Sequence, residues 1–452
     1  MNELTKTTAF AAAAVLLVLL AVVTAPAGYT PDAFLDQGRP FFPEFQDPNQ
    51  AVTLEVVTWD DETASADAFK VTSQGGVWTI PSHHDYPADG EEQLAATAAG
   101  MIQLTREDFR SDNAADHEVM GVGDPLDETA ASLEGRGRRV TIRGENDQVL
   151  ADIIIGKELE DRPGYRFVRI PGEKRVYAAK VDFDISTRFQ DWIKQDLLEV
   201  DKSKIDKLTL LDYSIDERSG RIRNQGSLTV LQEEGEWKIE DSSEEVDSNK
   251  VDEVLTAVDE LSIVGVRPKP QGLSEGLNRL DEEGLRLTRQ DQIDLQDKGY
   301  FFSVDGSLLS NEGELQVRTS DGVLYTLRFG EIVYGSGETV SAGGEAEQDE
   351  SQGPGENRYL FVTSEFLPDY FPEPPQPSNL DFQDKEESDW TAADQENKRL
   401  HDEHERWKEK VDKGRQLSQE LNSRFADWYY VISDENFRKI RVQRSDLIAD
   451  ES

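Results

Sequence analysis

Two stretches of the chain space their apolar residues as half-buried helices do. Leu94, Ala98, Met101 and Ile102 fall on one face, and so do Val251, Val254, Leu255, Val258 and Leu261. Asp89 and Asp247 precede them as candidate N-caps, short acceptors for the first backbone N–H groups. Ahead of each helix lie β-rich runs. Val52–Val57 and Ala68–Ser73 lead into Gly76-Val77-Trp78-Thr79-Ile80; Lys207–Leu211 and Ser227–Gln232 lead into Gly235-Glu236-Trp237-Lys238-Ile239. In each copy two such runs flank a short polar turn, the pattern of a hairpin.

The parallel continues beyond the helices. Val140–Arg143 and a polar turn lead into Ala151–Gly156; Leu315–Arg318 and Ser320-Asp321-Gly322 lead into Tyr325–Gly330. Tyr165–Ile170, a Pro-Gly turn and Arg175–Tyr177 read as one hairpin. Trp428–Ile432, a turn at Asp434–Asn436 and Arg438–Val442 read as its late counterpart. The spacing therefore predicts an α+β fold of two tandem related modules, 51–190 and 191–452, each an antiparallel sheet with a packed helix. Phe189, Trp192, Ile193, Leu197 and Leu198 suggest a short linking helix. The second module is lengthened by three segments: 335–357, poor in apolar residues and expected to be disordered; 368–389, proline-rich, acidic and expected to be extended; and 391–424, a long charged helix. The apolar points of that helix, Leu400, Trp407, Val411, Leu417 and Leu421, are too irregular for a heptad seam, leaving open whether it protrudes or packs along the body.

One run breaks these patterns. Ala9–Ala25 carries no charge and a single polar residue, Thr24. As a helix it spans roughly 26 Å, slightly under a bilayer core of about 30 Å. A cleaved signal peptide would use Ala25-Pro26-Ala27 before Gly28; Pro26 in that motif and the length of the run favour an uncleaved anchor within 1–27, followed by a linker at 28–50. Lys6 precedes the run, while Asp32, Asp36, Glu44 and Asp47 crowd behind it against Arg39 alone. This asymmetry places the N-terminus in the cytoplasm and the body in the periplasm or extracytoplasmic space, as a single-pass protein of the cytoplasmic membrane.

Composition narrows the partners. Asp and Glu number 92 against 48 Lys and Arg, for a formal net charge of −44. Such a surface argues against nucleic acid, which is held by clustered cations. The absence of cysteine removes thiol catalysis and thiolate metal sites. His83-His84-Asp85 is one possible metal cluster, but adjacent histidines on a strand point to opposite faces, and a solvated loop is the favoured reading. His401 and His404 stand three apart beside Glu405 on the long helix, without an HExxH arrangement; a surface helix is favoured. Glu233-Glu234 and Asp241–Glu245 lack the calcium-loop pattern, and Gly121-Val122-Gly123-Asp124-Pro125 reads as a turn because Pro125 blocks a phosphate-cradling helix. Trp78 and Trp237 sit at equivalent places in the two copies, as core anchors more than as a ligand shelf. No catalytic, cofactor-binding or metal residue is assigned, and no cofactor is expected.

Several motifs carry a resemblance. Gly38–Pro43, Val77-Trp78, Pro87-Ala88-Asp89 and Gly121–Pro125 resemble the domain of unknown function 4340 family, as do Ser310–Glu314, Tyr325–Gly330 and Arg424–Ile432. Phe41 stands where a Leu is common. The resemblance covers most of 38–448 and brings no functional residues with it. It implies a single-span bacterial membrane protein, often found alongside ABC-type transport systems similar to gliding-motility exporters. The expectation is a non-enzymatic, membrane-anchored interaction protein that contacts a transporter membrane subunit or another envelope protein. The alternatives are a binding module for a cation or an envelope polymer, and a carboxylate-based hydrolase.

Overall fold

The computed structural model describes residues 13–18 and 36–449, apart from 62–63, 130–131, 184, 217–220, 278–287, 304–305, 335–339 and 343–355. Of the apolar run, residues 13–18 are helical and exposed, and the rest lies outside the described residues. Among the described residues no helix is long and apolar enough to cross a membrane. The fold is α+β with antiparallel sheets and a long late helix. It divides into two compact units, Met1–Phe69 with Glu92–Ile185, and Lys70–Glu91 with Ser186–Ser452.

Unit one is built on strands β1 (Thr53–Asp60), the first half of β2 (Ser65–Gln74), β5 (Asp108–Ser111), β6 (Arg138–Arg143), β7 (Val149–Glu158), β8 (Tyr165–Arg169) and β9 (Val176–Lys180), in the order β2-β1-β6-β7-β8-β9-β5. Register explains its core. Val56 pairs with Val140 and Val140 with Ile153, while Leu54 pairs with Ile142 and Ile142 with Ala151. All six are buried, so one face is a continuous apolar row. Ile154 points the other way into a cluster with Val122 and Val176. Burial on both faces is why 151–155 is almost purely apolar. Helix α1 (Glu91–Gln103) buries Leu94, Ala98 and Met101 as its spacing requires. It begins at Glu91, so Gly90 takes the cap position and Asp89 stands one residue too early. A Cβ on Gly90 would lie 3.1 Å from the Trp192 ring, and the Asp89 N–H donates to the Trp192 carbonyl at 2.7 Å. A short helix, α2 (His117–Met120), ends on Gly121 in the left-handed region at φ 68°.

Unit two takes the rest of β2 with β3 (Val77–Ile80) and β4 (Tyr86–Pro87), in the order β2-β3-β4. Its main sheet comprises β10 (Ile205–Asp216), β11 (Arg221–Glu233), β12 (Glu236–Ile239), β13 (Gly265–Pro268), β16 (Glu314–Thr319), β17 (Val323–Val333), β18 (Asn357–Phe366) and β19 (Trp428–Ile432), in the order β12-β11-β10-β16-β17-β18-β19-β13; β14 (Tyr300–Phe302) and β15 (Leu308–Ser310) form a separate hairpin. Leu210, Leu315, Leu327 and Val362 pair in one buried row across four strands. Helix α3 (Ser248–Asp259) buries Val251, Val254, Leu255 and Val258, and the Asp247 carboxylate accepts from the Asn249 and Lys250 N–H groups as an N-cap. Helices α4 (Gln271–Leu277) and α5 (Arg289–Asp297) follow. The expected linking helix is a single 3-10 turn at Phe189–Trp192.

The long helix α6 (Ala392–Ala426) is docked. It opens on a Thr391/Asp394 capping box and buries Val411, Gly414, Ser418, Leu421 and Phe425, a strict three-and-four stripe. The Ser364 hydroxyl donates to the Ser418 carbonyl at 2.9 Å, and the Asn422 side-chain amide bonds both backbone groups of Ser364 at 2.9 and 2.6 Å. A Cβ on Gly414 would meet the Asp321 carbonyl at 2.5 Å, so the helix lies against the backbone of the sheet. The proline-rich segment is extended only between 3-10 turns at Pro368–Tyr370, Asp381–Asp384 and Glu387–Asp389. It is tied to α6 by Trp407 Nε1 donating to the Phe371 carbonyl (2.8 Å) and by the Ser378 hydroxyl and N–H donating to Asn397 (both 3.0 Å).

Two further expectations are corrected. Residues 434–440 form helix α7 (Asp434–Ile440) where a returning strand was expected. The Ser433 hydroxyl caps it, acidic Asp434 and Glu435 lie in its first turn, and Arg438 and Lys439 pair back to them four residues away. Trp78 and Trp237 are half-buried; the buried anchors of those strands are Ile80 and Ile239. Of 335–357, only 340–342 and 356–357 are described, and Val340 and Ala342 are buried.

Candidate functional site: a cationic cleft in unit one

The histidines do not converge on a metal position. His83 closes the turn after β3 and is buried, 3% exposed, so the expected solvated loop is corrected. Its Nδ1 shares a hydrogen bond with the Ser82 hydroxyl (3.0 Å), its Nε2 another with the Ser341 hydroxyl (2.9 Å), and its ring stacks on Phe189 at 4.7 Å. Burial pushes the imidazole down to about 4, and the neighbouring charges of His84 and Arg267 add to the shift. His84 turns to the left-handed region and its Nε2 donates to the Ala342 carbonyl at 2.7 Å. The two rings thus latch onto 341–342. On α6, His404 is buried and bonds Glu373 at 3.2 Å, while His401 lies 5.7 Å from the Phe382 ring. The expected surface position of His404 is therefore corrected: it belongs to the docked stripe. Among the described residues no three metal-ligating side chains gather.

Among the described residues Lys269 is the most deeply buried amine. Its Nζ donates to the Phe425 carbonyl at 2.8 Å and lies 3.9 Å from the Phe361 ring centroid, and burial lowers its pKa. Burial, at 6% exposure, closes it off from an outside ligand.

A different constellation stands out in unit one. A cleft of about 1090 Å³ opens between the end of β1, the start of β6, the end of β7 and the start of β8. Arg136, Arg138, Lys157 and Arg166 line it, against two described lining acids, Asp61 and Glu134. Glu62 and Asp184, next in sequence to lining residues, lie outside the described residues. The Arg136 guanidinium rests over the Trp59 ring at 4.1 Å and donates to the carbonyls of Asp124 (3.0 Å), Pro125 (3.1 Å) and Asp127 (2.9 Å). Lys157 Nζ donates to the Val119 carbonyl (3.0 Å), and Arg166 to the Gly156 carbonyl (3.1 Å). Arg136, Lys157 and Arg166 thus find neutral oxygens and form no ion pair with a described carboxylate. An amine has three donors and a guanidinium five, so each of the two exposed ones, Lys157 and Arg166, keeps donors and its full charge for another group. Arg139, one residue along β6, faces the opposite way and is spent: it pairs with Asp152 at 2.7 Å and Asp124 at 3.2 Å.

The glycines at the base are fixed by packing. A Cβ on Gly135 would sit 2.1 Å from the Glu118 carbonyl, and one on Gly156 2.5 Å from that of Met120. They let 118–121 lie directly on the sheet, which carries Lys157 to the Val119 carbonyl. Reading the sequence for catalysis missed this site. Its signal was Gly135-Arg136-Gly137-Arg138-Arg139, a dense basic run in a strongly acidic chain.

These features define an antiparallel α+β protein with a polar, cation-lined cleft. Residues 78–277, from β3 through α4, match the model of the family described as Domain of unknown function (DUF4340). The matched stretch holds the four cleft cations but not Trp59. No curated protein and no solved structure matches the chain.

Proposed function

We propose that the protein is a non-enzymatic, membrane-anchored interaction protein whose body lies outside the cytoplasmic membrane, as an accessory component of an ABC-type transport or envelope complex. The anchor is the apolar run Ala9–Ala25, with the charge asymmetry around it. Two related modules form the body. Their relationship is supported by strand order: β3-β2-β1-β6-β7-β8-β9-β5 matches β12-β11-β10-β16-β17-β18-β19-β13 step for step, with α1 and α3 each leading to the edge strand. The observation that carries the interaction reading is the difference at one matched connection. Residues 170–175 join β8 to β9, whereas 367–427, with α6, join β18 to β19. One side of α6 is used on the sheet; the other displays charged residues over roughly 50 Å, a length of presented surface that packing alone does not require.

The test is cross-linking in intact cells followed by membrane solubilisation and mass spectrometry, with protease access to the outer face. The reading expects membrane partition, cleavage of the body from outside, and a membrane-protein partner lost when the solvent face of α6 is recharged. A soluble monomer without a cross-linked partner would end it. A second reading, a binding module for an envelope polymer, is favoured by the cleft of unit one, whose cations turn it toward anionic ligands and away from the cation considered from the sequence.

A further inference from the structure

We infer that the unit-one cleft binds an acidic glycan, its carboxylate or sulfate groups held by Lys157 and Arg166 beside the Trp59–Arg136 stack. This rests on the binding-module reading and assigns that module a ligand class. Three observations carry it.

The first is electrostatic. In a chain with 92 acids and 48 bases, a cation without an ion pair is unexpected, yet Lys157 and Arg166 line one cleft anchored only to backbone carbonyls, while Glu158, opposite Arg166 across β7 and β8, accepts from the Gly164 N–H instead. A carbonyl orients a cation without neutralising it, so positive potential is left in the cleft. The second is size. About 1090 Å³ far exceeds what one small oxyanion fills and suits a ligand of several linked rings. The third is the wall. Trp59, Phe183 and Leu133 provide apolar surface among the cations, matching a ligand whose rings have C–H faces and whose rims carry charge. Arg136, held by three carbonyls and the indole, is a fixed element of that wall.

The test is calorimetric titration of the full-length chain in detergent with a hexamer of galacturonic acid, a neutral glucose hexamer and inorganic phosphate as separate probes. The galacturonate hexamer is expected to bind, to weaken as salt rises from about 0.05 to about 0.5 M, and to lose at least roughly tenfold in affinity in the K157A/R166A double variant. R166K, which keeps the charge, retains most of the binding. K238A, which removes an exposed cation from β12, leaves it unchanged. Unaltered thermal unfolding of the double variant separates lost binding from lost fold. Equal binding of the neutral hexamer, undiminished affinity in the double variant, or binding of phosphate alone would each overturn the assignment. Because purified protein is used, such a failure says nothing about where the body resides, which protease access decides separately.

Discussion

The cations of the two sheets are used differently. In the second and the helices beside it, Arg318 pairs with Asp206 at 2.8 Å, Arg441 with Asp212 at 2.8 Å, and Lys298 with Asp294 at 2.6 Å, all largely shielded. Asp206 also accepts from the Tyr370 hydroxyl, which ties the segment leading to α6 onto the sheet. In the first, Arg139 is spent in the same way, but Lys157 and Arg166 on the cleft side rest on carbonyls. One strand order therefore supports two economies of charge. Around the clamped insertion Arg318, Arg441 and Lys298 are neutralised by carboxylates; in the cleft of unit one Lys157 and Arg166 are not. Hydrogen bonds to carbonyls hold such side chains in place at little cost to their potential.

The sharpest way to break this comparison is at the clamp. Gly414→Val places a branched side chain against the Asp321 carbonyl and the Phe366 ring, both 2.5 Å from the position of a Cβ. Overpacking of this kind is expected to cost on the order of 3 kcal/mol, read as a lower urea midpoint. Next is the His83 latch. Its folded pKa of about 4 lies below the ordinary 6.5, so between those values the unfolded chain holds the proton and the folded one does not. Stability is full above about pH 6.5 and falls as pH drops toward 4; thermal unfolding across that window should show a decline that His83→Gln flattens. Arg441→Met, which leaves Asp212 without its partner, should cost about 2 kcal/mol, since the pair is mostly but not fully shielded. Lys157→Ala and Arg166→Ala should each change stability by no more than about 0.5 kcal/mol. A large loss there would make these cations structural and erase the contrast.

Much of the fold was legible because it is carried by side chains whose periodicity is apolar. The helices at 91–103 and 248–259, the Asp247 cap and the hairpins β6–β7 and β8–β9 follow directly from such patterns. The docking of α6 was not legible, because Gly414 and Ser418 occupy two of its sheet-facing positions and carry no apolar signal; closeness of backbone replaces side-chain bulk. His404 was misjudged for the same reason, a polar member of a buried stripe. Residues 438–442 misled through their β-compatible Ile440 and Val442, where the Ser433 cap and the i,i+4 charge pairs decide for a helix over 434–440. The cleft could not be read as a site because Trp59, Arg136, Lys157 and Arg166 come from four strand ends that only register brings together. The basic run at 135–139 was visible, but its division into a paired Arg139 and a cleft-lining Arg138 depends on which face of β6 each occupies.

The central claim is that Lys157 is available to a ligand whereas Lys298, Arg318 and Arg441 of unit two are already committed to carboxylates. Competitive amine labelling of the full-length chain, read residue by residue by mass spectrometry with and without the galacturonate hexamer, tests it directly. The account predicts that Lys157 labels readily in the free protein and is protected by the hexamer, while Lys298, paired with Asp294 and largely shielded, labels slowly in both states. Labelling of Lys157 that is as slow as that of Lys298, or that the hexamer leaves unchanged, would contradict it.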